Sequence, residues 1–539
     1  MTHRTTSIDK PLAALTLTIV FLSVAGLSIF SEGSITLASQ MMAWTTRVFT
    51  APVLIFTLLS VVFCVWLALS KFGKIRLGKE KPEYGTLTWI FMFFLSGMGS
   101  ATLYWGFLDW AYYYQTPGLN LVANTPDSLK YSVAYSFFHY GPSAWSIFAL
   151  ASISLCYHYY VRKNKGLSLA AIVEAITGFK ATGLVGRFVD LLFLLCMFGA
   201  LTISLVLTAV TFTNILSLLT GIPNTFVTKV TIILVVSILF ALSSYVGMDS
   251  GMKRLSQFVC YGIILFALYI LCFGPTEFIL NNTLNSLGLM ATNFMGMSLF
   301  TDPMGTGQFT RDWTVFYWLW WISYAPGVAL FVTRVSKGRS IREVVLALIV
   351  AGCTASWFMY GILENFSVYS FIQGTVNVPQ VLSAEGGEKA IGQLLTLLPF
   401  GKALMWAFLL IMAVYLAAHM DAVGYAVSAT CVRGLKEGED PSPNSRLFWC
   451  VMLTLVPIAM IFANAPLDTM KAATIITALP FIVIILIQTY GFIKWLIQDY
   501  GHASAHDIEN KYAPDHQGPA ASTAKTMAPA QETTPPTIQ

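Results

Sequence analysis

Long apolar runs follow one another along most of the chain, from Leu12 to Leu496, with polar residues concentrated in short stretches between them. Each run holds about 20 residues or more, which is enough for a helix to cross roughly 30 Å of hydrocarbon. The pattern predicts about twelve membrane-spanning helices. Their predicted starts lie near residues 11, 51, 88, 131, 188, 228, 255, 314, 344, 393, 446 and 470. We therefore expect an all-α integral membrane protein.

The composition agrees with a chain that lies in a bilayer. Of its 539 residues, 56% are hydrophobic and 11% are charged, and the mean hydropathy is +0.69. The surface of a water-soluble globular protein carries more charge than this. We expect a short N-terminal segment at 1–10 and a membrane domain at 11–500. Because residues 501–539 lose the apolar periodicity and become rich in Ala, Thr and Pro, we expect a disordered C-terminal tail there.

Basic residues alternate with the runs. They cluster after the second, fourth, sixth, eighth and tenth runs, whereas the loops at 115–130 and 373–389 are poor in Lys and Arg. Because Lys and Arg near span ends accumulate on the cytoplasmic side, both termini are predicted to face the cytoplasm of a bacterial inner membrane. This distribution also accounts for the net charge of +5 without nucleic acid as a partner.

The eight cysteines lie in or beside apolar runs and do not have the spacing of metal ligands. We interpret them as packing residues of the membrane domain. The sequence therefore predicts neither a metal site nor a cofactor.

Several ionisable residues lie within the runs or at their ends, where hydrocarbon disfavours charge. Taken alone, each of them is better explained as a helix-end charge or a packing residue than as a functional group. An integral membrane enzyme with acid–base chemistry stays open as an alternative, although HExxH, GxSxG and phosphate-loop motifs are missing from the membrane region. A receptor is a further alternative, which the lack of a sizeable soluble output domain disfavours. The ionisable residues within the runs or at their ends are Asp109, His139, Glu364, Lys402, His419 and Asp421.

Glycine and proline fall inside three of the runs. We expect Gly97, Gly99 and Gly106 to interrupt the third predicted helix, 141–142 to kink the fourth and 326–327 to interrupt the eighth. A broken helix frees backbone groups that hydrocarbon cannot satisfy, and it is tolerated where it lines a cavity. Close helix packing through small residues is the alternative. Two broken helices in separate halves of the chain point to a central binding site.

Large aromatic residues recur at spacings of three and four in the eighth run, so most of them lie on one helical stripe. A belt at the membrane surface is an alternative explanation. However, Trp320 lies about 10 Å deeper than Trp313 at ~1.5 Å per residue. Further aromatic residues share a face of the third run or bracket the kink in the fourth. The aromatic residues of the third, fourth and eighth runs that share these positions are Trp105, Tyr112, Tyr140, Trp145, Trp313, Tyr317, Trp320, Trp321 and Tyr324.

A cavity walled by Trp and Tyr rings suits a quaternary ammonium ligand. Its charge is diffuse and covered by methyl groups, and it has no N–H group to donate to a carboxylate. The faces of aromatic rings attract such a cation, and each contact contributes about 2 kcal/mol when it is desolvated. The aromatic pattern therefore predicts a cation cage.

The stretch WTVFYWLWWISYAPG at 313–327, followed by FVTRVSKGRSIREVV, resembles the signature helix and cytoplasmic loop of the betaine/carnitine/choline transporter family. The resemblance extends over the GMGSA, HYGPSAW, GMKRLS and EGEDP stretches, and so over nearly the whole membrane chain. It implies a secondary transporter of methylated onium compounds with two leading helices and two inverted five-helix repeats. Family members are often homotrimers. Betaine, carnitine, choline, dimethylsulfoniopropionate and trimethylamine N-oxide all remain possible substrates.

Carried over position by position, the resemblance implies a substrate cage and an aromatic entrance. Tyr112 matches an aromatic residue of carnitine-type members, Tyr140 stands where many members have Trp, and Tyr324 where betaine-type members often have Trp. The entrance positions are Trp313 and Tyr317. The substrate-binding positions are Met98, Tyr112, Tyr140, Trp145, Trp320, Trp321 and Tyr324.

The positions implied in ion coupling depart from the sodium-driven members. Those members carry a Thr-Ser pair shortly before an Asp in the tenth span, whereas Ala418 and His419 precede Asp421 here. Ala418 offers no side-chain oxygen to a hard cation. Lys253 falls where sodium-independent members carry an Arg in place of the ion, although it is also explained as an ordinary basic residue of a cytoplasmic loop. The resemblance favours sodium-independent transport, by exchange or by proton symport with His419 as the titrating candidate, over sodium symport. A packing role is the alternative for His419.

Overall fold

The computed structural model describes residues 7–164, 166–246, 253–433 and 439–511, and these residues fold almost entirely into helices. The all-α prediction is confirmed. The first helices are α1 (Lys10–Ile29), α2 (Ser31–Leu69), α3 (Thr86–Gly97), α4 (Thr102–Gln115), α5 (Pro126–His139), α6 (Pro142–Cys156), α7 (Leu169–Thr177), α8 (Leu184–Thr220), α9 (Phe226–Val246), α10 (Lys253–Phe273) and α11 (Thr276–Leu299). The later helices are α12 (Phe316–Val335), α13 (Ile341–Leu346), α14 (Gly352–Ile372), α15 (Val378–Glu385), α16 (Gly387–Thr396), α17 (Gly401–Cys431), α18 (Pro443–Leu453), α19 (Leu455–Phe462), α20 (Leu467–Tyr500) and α21 (Ala505–Lys511).

The described helices do not confirm the predicted number of membrane spans. In the described part of the chain, 9 helical stretches are long and apolar enough to cross a membrane, or up to 10 if the bent pair α3–α4 is one span. All of the twelve predicted runs contain helix, but α5 and α6 are each short and are separated by a turn. The apolar part of α9 covers only Phe226–Leu239. The count of about twelve spans is therefore not confirmed.

Two of the predicted helix breaks are present. Helix α3 ends at Gly97 and α4 begins at Thr102, with a bend of 60° between them. We call residues 98–101 the α3–α4 break. Helix α5 likewise ends at His139, and α6 starts with Pro142, where the missing N–H of proline costs no helical hydrogen bond.

The other predicted breaks are wrong. Helix α12 continues through Pro326 without interruption, and Gly106 lies inside α4. A Cβ atom at Gly327 would lie 2.9 Å from the sulfur of Met197, and one at Gly106 would lie 3.2 Å from Leu363. These two glycines therefore serve close helix packing, which was the alternative explanation of the pattern.

Helix α12 forms the centre of the molecule. It packs against α6, α20, α8, α17 and α3, and every residue of its most apolar stretch is buried. A π-helical segment, Thr310–Val315, leads directly into it. The helix that carries the aromatic stripe is thus surrounded by protein on all sides, and an aromatic belt at the lipid surface does not explain the stripe.

The cysteines are all free thiols. Seven of them are buried, as expected for packing residues. Cys272 is exposed, so the packing interpretation is wrong at this position.

Both ends of the described chain lie on one face of the molecule. Strand β1 (Ser7–Ile8) pairs antiparallel with β2 (Val432–Arg433), directly after α17. Arg334 at the end of α12 contacts both Glu83 and Asp440, each at 3.2 Å, and Lys74 contacts Glu509 beyond α20 at 2.8 Å. The loops after α2, α12 and α17 therefore meet the two ends. Most of the predicted terminal segments, namely residues 1–6 and 512–539, lie outside the described residues, whereas α21 falls within the predicted tail.

Candidate substrate-binding site

A small cavity lies beside the α3–α4 break. Five of its lining residues belong to the substrate-binding positions implied by the sequence. The described residues that line it include no charged side chain. They are Gly97, Met98, Gly99, Thr102, Tyr140, Phe148, Trp320, Trp321 and Tyr324.

The aromatic wall of the cavity comes from two places in the fold. Helix α12 supplies Trp320, Trp321 and Tyr324, because residues three and four apart share a helical face. The turn before α6 supplies Tyr140, whose ring centroid lies 5.9 Å from that of Trp321. Phe148 of α6 closes the wall at 4.7 Å from Trp321. The structure thus brings together rings that lie about 180 residues apart in the sequence.

The glycines of the α3–α4 break allow two neighbours to approach the backbone. A Cβ atom at Gly97 would lie 2.6 Å from the ring of Phe148, and one at Gly99 would lie 2.6 Å from Ser204 Oγ. Between these glycines, Met98 has an extended backbone and its sulfur lies 3.5 Å from Ser356 Oγ. The glycines are therefore needed for the shape of the cavity floor.

Trp145 and Tyr112 do not line the cavity. Trp145 lies behind Trp321, with 5.4 Å between ring centroids, and its indole N–H donates to Ser356 Oγ at 3.3 Å. Tyr112 lies instead beside Trp313, with 5.0 Å between ring centroids. The aromatic residues implied for the cage therefore lie in three places. Tyr140, Trp320, Trp321 and Tyr324 form the cavity wall. Trp145 supports this wall from behind, and Tyr112 lies near the entrance positions.

The two entrance positions form one group of rings with Tyr112, which we call the entrance cluster (Tyr112, Trp313 and Tyr317). The hydroxyl of Tyr317 donates to both carboxylate oxygens of Asp109, at 2.9 and 2.8 Å. Tyr140 in turn donates to the Tyr317 hydroxyl at 3.4 Å. A hydrogen-bonded chain therefore runs from the cavity wall through the entrance cluster to a buried carboxylate.

Other ionisable candidates are buried near this chain. His139 contacts the Tyr113 hydroxyl at 2.9 Å and Thr314 Oγ1 at 3.1 Å, and its ring stacks on Tyr317 at 4.7 Å. Glu364 accepts from Ser136 at 2.7 Å. Neither side chain lines the cavity, and both have hydrogen-bond partners. Lys402, by contrast, is exposed near the start of α17.

His419 lies directly beside the α3–α4 break. Its Nδ1 atom lies 3.2 Å from the carbonyl oxygen of Leu95, and its ring centroid lies 5.3 Å from that of Tyr324. A Cβ atom at Gly99 would lie 3.4 Å from the imidazole ring. The imidazole thus fills the space between α17 and the break. Asp421, two residues further along α17, is buried but does not line the cavity.

Lys253 lies far from the other coupling residues. It is half-buried at the start of α10, which packs alongside α3 through contacts of Gln257 with Thr88 and of Tyr261 with Phe91. These contacts show that the two helices run in the same direction. The α3–α4 break begins about 15 Å beyond Thr88 along α3. Lys253 lies about one helical turn before Gln257, in the opposite direction, and so still further from the break. The structure therefore does not bring Lys253 to the cavity or to His419.

One charged residue near the entrance cluster escaped the sequence analysis. The Nζ atom of Lys471, in α20, lies 3.8 Å from the ring centroid of Trp313 and 4.8 Å from that of Phe316. Only 3% of its side chain is exposed. In the sequence, Lys471 stands within the first turns of the last apolar run. A lysine at such a position resembles an ordinary helix-end charge.

The comparison with known families is decisive for the class of protein. The model of the betaine/carnitine/choline family transporters matches residues 11–501, which is nearly the whole chain. The chain belongs to the betaine/carnitine/choline transporter family. It is a multi-pass membrane transporter and not an enzyme, so the alternative of an integral membrane enzyme is set aside.

Two relatives in the betaine/carnitine/choline transporter family are similar over most of their length. A carnitine transporter of Acinetobacter baumannii is 73% identical over 509 residues, which cover 94% of this chain and 92% of the relative. A protein of Escherichia coli K12, described as the uncharacterized transporter YeaV, is 53% identical over 469 residues, which cover 87% and 97%.

A solved structure of a sodium-coupled sialic acid symporter, in a substrate-bound outward-open state, also aligns with this family member. The TM-score is 0.44 at 15% identity, with 88% of this chain and 95% of the symporter covered. This likeness is too distant to bear on function.

Proposed function

We propose that this family member carries a compact quaternary ammonium compound, with carnitine as the first candidate, in the cavity beside the α3–α4 break. The observation that supports this most directly is a wall of Tyr140, Trp320, Trp321 and Tyr324 without a charged residue in the lining. Such a wall favours a cation that cannot donate hydrogen bonds over a hydrated inorganic ion.

The energetics of the wall support the same substrate class. Each ring face that contacts a desolvated onium group contributes about 2 kcal/mol, so three or four rings offset much of its dehydration. The cavity is small, with nine described residues in its lining. A small molecule with one onium head therefore fits this site better than a long-chain lipid or a peptide.

Carnitine is the first candidate among the onium compounds because of the 73% identical relative, which is described as a carnitine transporter. A position implied for carnitine-type members, Tyr112, also lies in the entrance cluster. These two observations favour carnitine over betaine and choline as the starting substrate for transport measurements.

We further propose that transport does not use sodium, and proceeds by substrate exchange or with protons. Ala418 provides no oxygen ligand, and the imidazole of His419 occupies the space beside Leu95 and Gly99 in which backbone oxygens would otherwise face a small cation. Because Lys253 lies far from this space, the proposal rests on Ala418 and His419 and not on the lysine. Sodium symport is the competing mechanism.

The setting of the transporter is proposed as well. The loops that carry basic clusters after α2, α12 and α17 lie on the face that holds both ends of the described chain. This supports cytoplasmic termini in a bacterial inner membrane, since basic residues accumulate on the cytoplasmic side. A homotrimer, which the family resemblance implies, is proposed as its assembly, and native mass spectrometry of the purified protein tests it.

Transport measurements in proteoliposomes test the proposed function. Labelled carnitine, glycine betaine and choline are supplied outside, while the sodium gradient, the proton gradient and the internal substrate are varied independently. We expect carnitine uptake without sodium that depends on internal substrate or on a proton gradient. Strict sodium dependence would contradict the coupling proposal alone. Failure to take up any of the three compounds under every condition would contradict the substrate class.

A further inference from the structure

The ammonium group of Lys471 is buried against aromatic rings at the entrance cluster. Its Nζ atom lies 3.8 Å from the ring centroid of Trp313 and 4.8 Å from that of Phe316, and 3% of the side chain is exposed. Lysine is rarely buried this deeply without a close anionic partner. The position of this cation therefore requires an explanation.

The described residues leave much of the hydrogen-bonding capacity of this ammonium unused. A lysine ammonium has three N–H donors. Among the described residues, Lys471 donates to the backbone oxygen of Asp312 at 3.4 Å, and the carboxylate of Asp468 lies 3.9 Å away. The side chain of Asp468 is 71% exposed, so water competes for it. Lys471 can therefore donate short hydrogen bonds to an anion that enters.

Lys471 lies two ring layers from the cavity. The ring of Phe316, which it contacts, stacks on Trp320 with 5.7 Å between centroids and an angle of 13° between planes. On the other side, Trp313 leads through Tyr317 to Trp320, with centroid distances of 6.5 and 5.9 Å. The ammonium therefore contacts the entrance cluster directly, and the cavity only through the rings of Phe316 and Trp320.

The described lining of the cavity offers a carboxylate-bearing substrate no positively charged partner. The three acidic side chains near Lys471, namely Asp109, Asp312 and Asp468, would repel a carboxylate. Asp109 already accepts two hydrogen bonds from Tyr317.

We propose that Lys471 binds the carboxylate of a zwitterionic onium substrate, and so makes the transporter prefer carnitine and betaine to choline. This inference rests on the proposed function. The rings of the entrance cluster hold the onium group, while the ammonium donates charge-assisted hydrogen bonds to the carboxylate. The exposed carboxylate of Asp468 is the competitor that the substrate displaces. Choline lacks a carboxylate and gains nothing from Lys471.

A purely structural role for Lys471 predicts a different behaviour. If its ammonium only offsets the nearby acidic groups or fills space between rings, its loss should weaken the transport of every onium substrate alike. A role in substrate recognition changes the ratio between zwitterions and choline. The ratio of apparent affinities therefore distinguishes the two roles.

The experiment compares Lys471→Met, Lys471→Arg and the wild type in proteoliposomes. Lys494→Met is the matched control, because Lys494 is an exposed lysine of the same helix. We expect Lys471→Met to raise the apparent KM for carnitine by about tenfold or more, the loss of one charge-assisted interaction, and to leave that for choline within about twofold. Arginine should retain most of the preference for carnitine, and Lys494→Met should behave as the wild type.

Carnitine methyl ester provides a chemical control, because it keeps the onium group and lacks the anionic carboxylate. It should compete with carnitine poorly in the wild type and comparably with it in Lys471→Met. Equal changes for carnitine and choline, or no change for either, would overturn the inference while leaving the proposed function intact. Absence of onium transport by the wild type would instead contradict the proposed function.

A second variant keeps the inference testable if Lys471→Met does not fold. Asp468→Asn leaves the lysine in place and removes its exposed competitor. We expect it to lower the apparent KM for carnitine by about twofold to fivefold without a matching change for choline. An unchanged ratio between the two substrates in this variant would overturn the inference.

Discussion

At the scale of single residues, the environment of each ring decides its role. Trp321 contacts Tyr140, Phe148 and Trp145, and its indole N–H has no hydrogen-bond partner among the described residues. Trp145 donates its N–H to Ser356 and lies behind this ring. In the proposed site the two tryptophans therefore have different roles, direct contact with the substrate for Trp321 and support for Trp145.

Removing the ring of Trp321 tests the cation cage. Trp321→Leu retains much of the apolar volume but removes the aromatic face, so we expect the dissociation constant of the onium substrate to rise by more than tenfold, equivalent to ~1.4 kcal/mol. Calorimetric titration of the purified protein measures it. Trp318→Leu is the control from the same helix, since Trp318 packs against Phe138 and His139. Equal losses of affinity in both folded variants would argue against a specific contact with Trp321.

Residue types and helical spacing predicted much of this site. Trp320, Trp321 and Tyr324 lie on one face of α12, and spacings of three and four residues are sufficient to place them together. The depth of Trp145 depends instead on the turn at 140–141 and on how α6 packs. The distance of Lys253 from the cavity depends on the alignment of α10 with α3, which no local pattern contains.

At the scale of helices, the α3–α4 break shapes the floor of the cavity. The chain leaves helical geometry at Met98 and re-enters it at Thr102, so backbone groups face the cavity and the neighbouring α17. The glycines at this break interrupt a helix as predicted. The Pro-Gly pair in α12 was also predicted to interrupt its helix, but it does not. Both patterns look alike in sequence, and the difference lies in the packing partner, since Met197 closes on Gly327.

Adding one methyl group at the α3–α4 break should impair transport. In Gly97→Ala the new Cβ atom would lie 2.6 Å from the ring of Phe148, so that ring must move into the cavity wall. We expect the rate of carnitine uptake to fall by about tenfold or more, while the melting temperature falls by only a few degrees.

Gly288→Ala provides the control for this prediction. Gly288 also lies in a helix, α11, but its Cβ position is open. Alanine there should stabilise the helix by up to ~1 kcal/mol and leave uptake unchanged. If Gly97→Ala transports carnitine as well as Gly288→Ala does, the close approach of Phe148 is not needed for function.

At the scale of the whole molecule, ion pairs join the N-terminal end to the middle of the chain. Asp9 is the N-cap residue of α1, and its side chain accepts from the backbone N–H of Leu12. Arg433 donates to Asp9 at 3.0 Å and to Asp190 of α8 at 2.9 Å, and Arg187 lies 3.3 Å from Asp9. These contacts hold α1, α8 and the end of α17 together on one face.

The pH dependence of stability tests this junction. Burial raises the pKa of Asp9, but the hydrogen bond from Leu12 and the guanidinium groups of Arg433 and Arg187 outweigh it, so the pKa lies below its ordinary value of 3.8. Because the folded-state pKa is lowered, Asp9 contributes stability above pH 3.8 and loses that contribution as the pH falls further.

We therefore expect Asp9→Asn to lower the melting temperature by about 2 °C at neutral pH and to reduce its decline below pH 4. Thermal unfolding of the detergent-solubilised protein, followed by intrinsic fluorescence, measures both. Asp127→Asn serves as the control, because Asp127 is an exposed aspartate in the first turn of α5. Identical pH profiles for wild type and Asp9→Asn would show that this ion pair contributes nothing to stability.

The pairing of β1 with β2 links the outermost helix to the one that carries His419. Helix α1 is the least enclosed of the candidate spans, with 22% of its apolar stretch buried, and β1 precedes it directly. A displacement of α17 would therefore be transmitted through this pairing to the first turn of α1. A fluorescent dye on Leu22, whose side chain is 67% exposed, would then report the working cycle of the transporter from a position that touches neither the cavity nor its entrance.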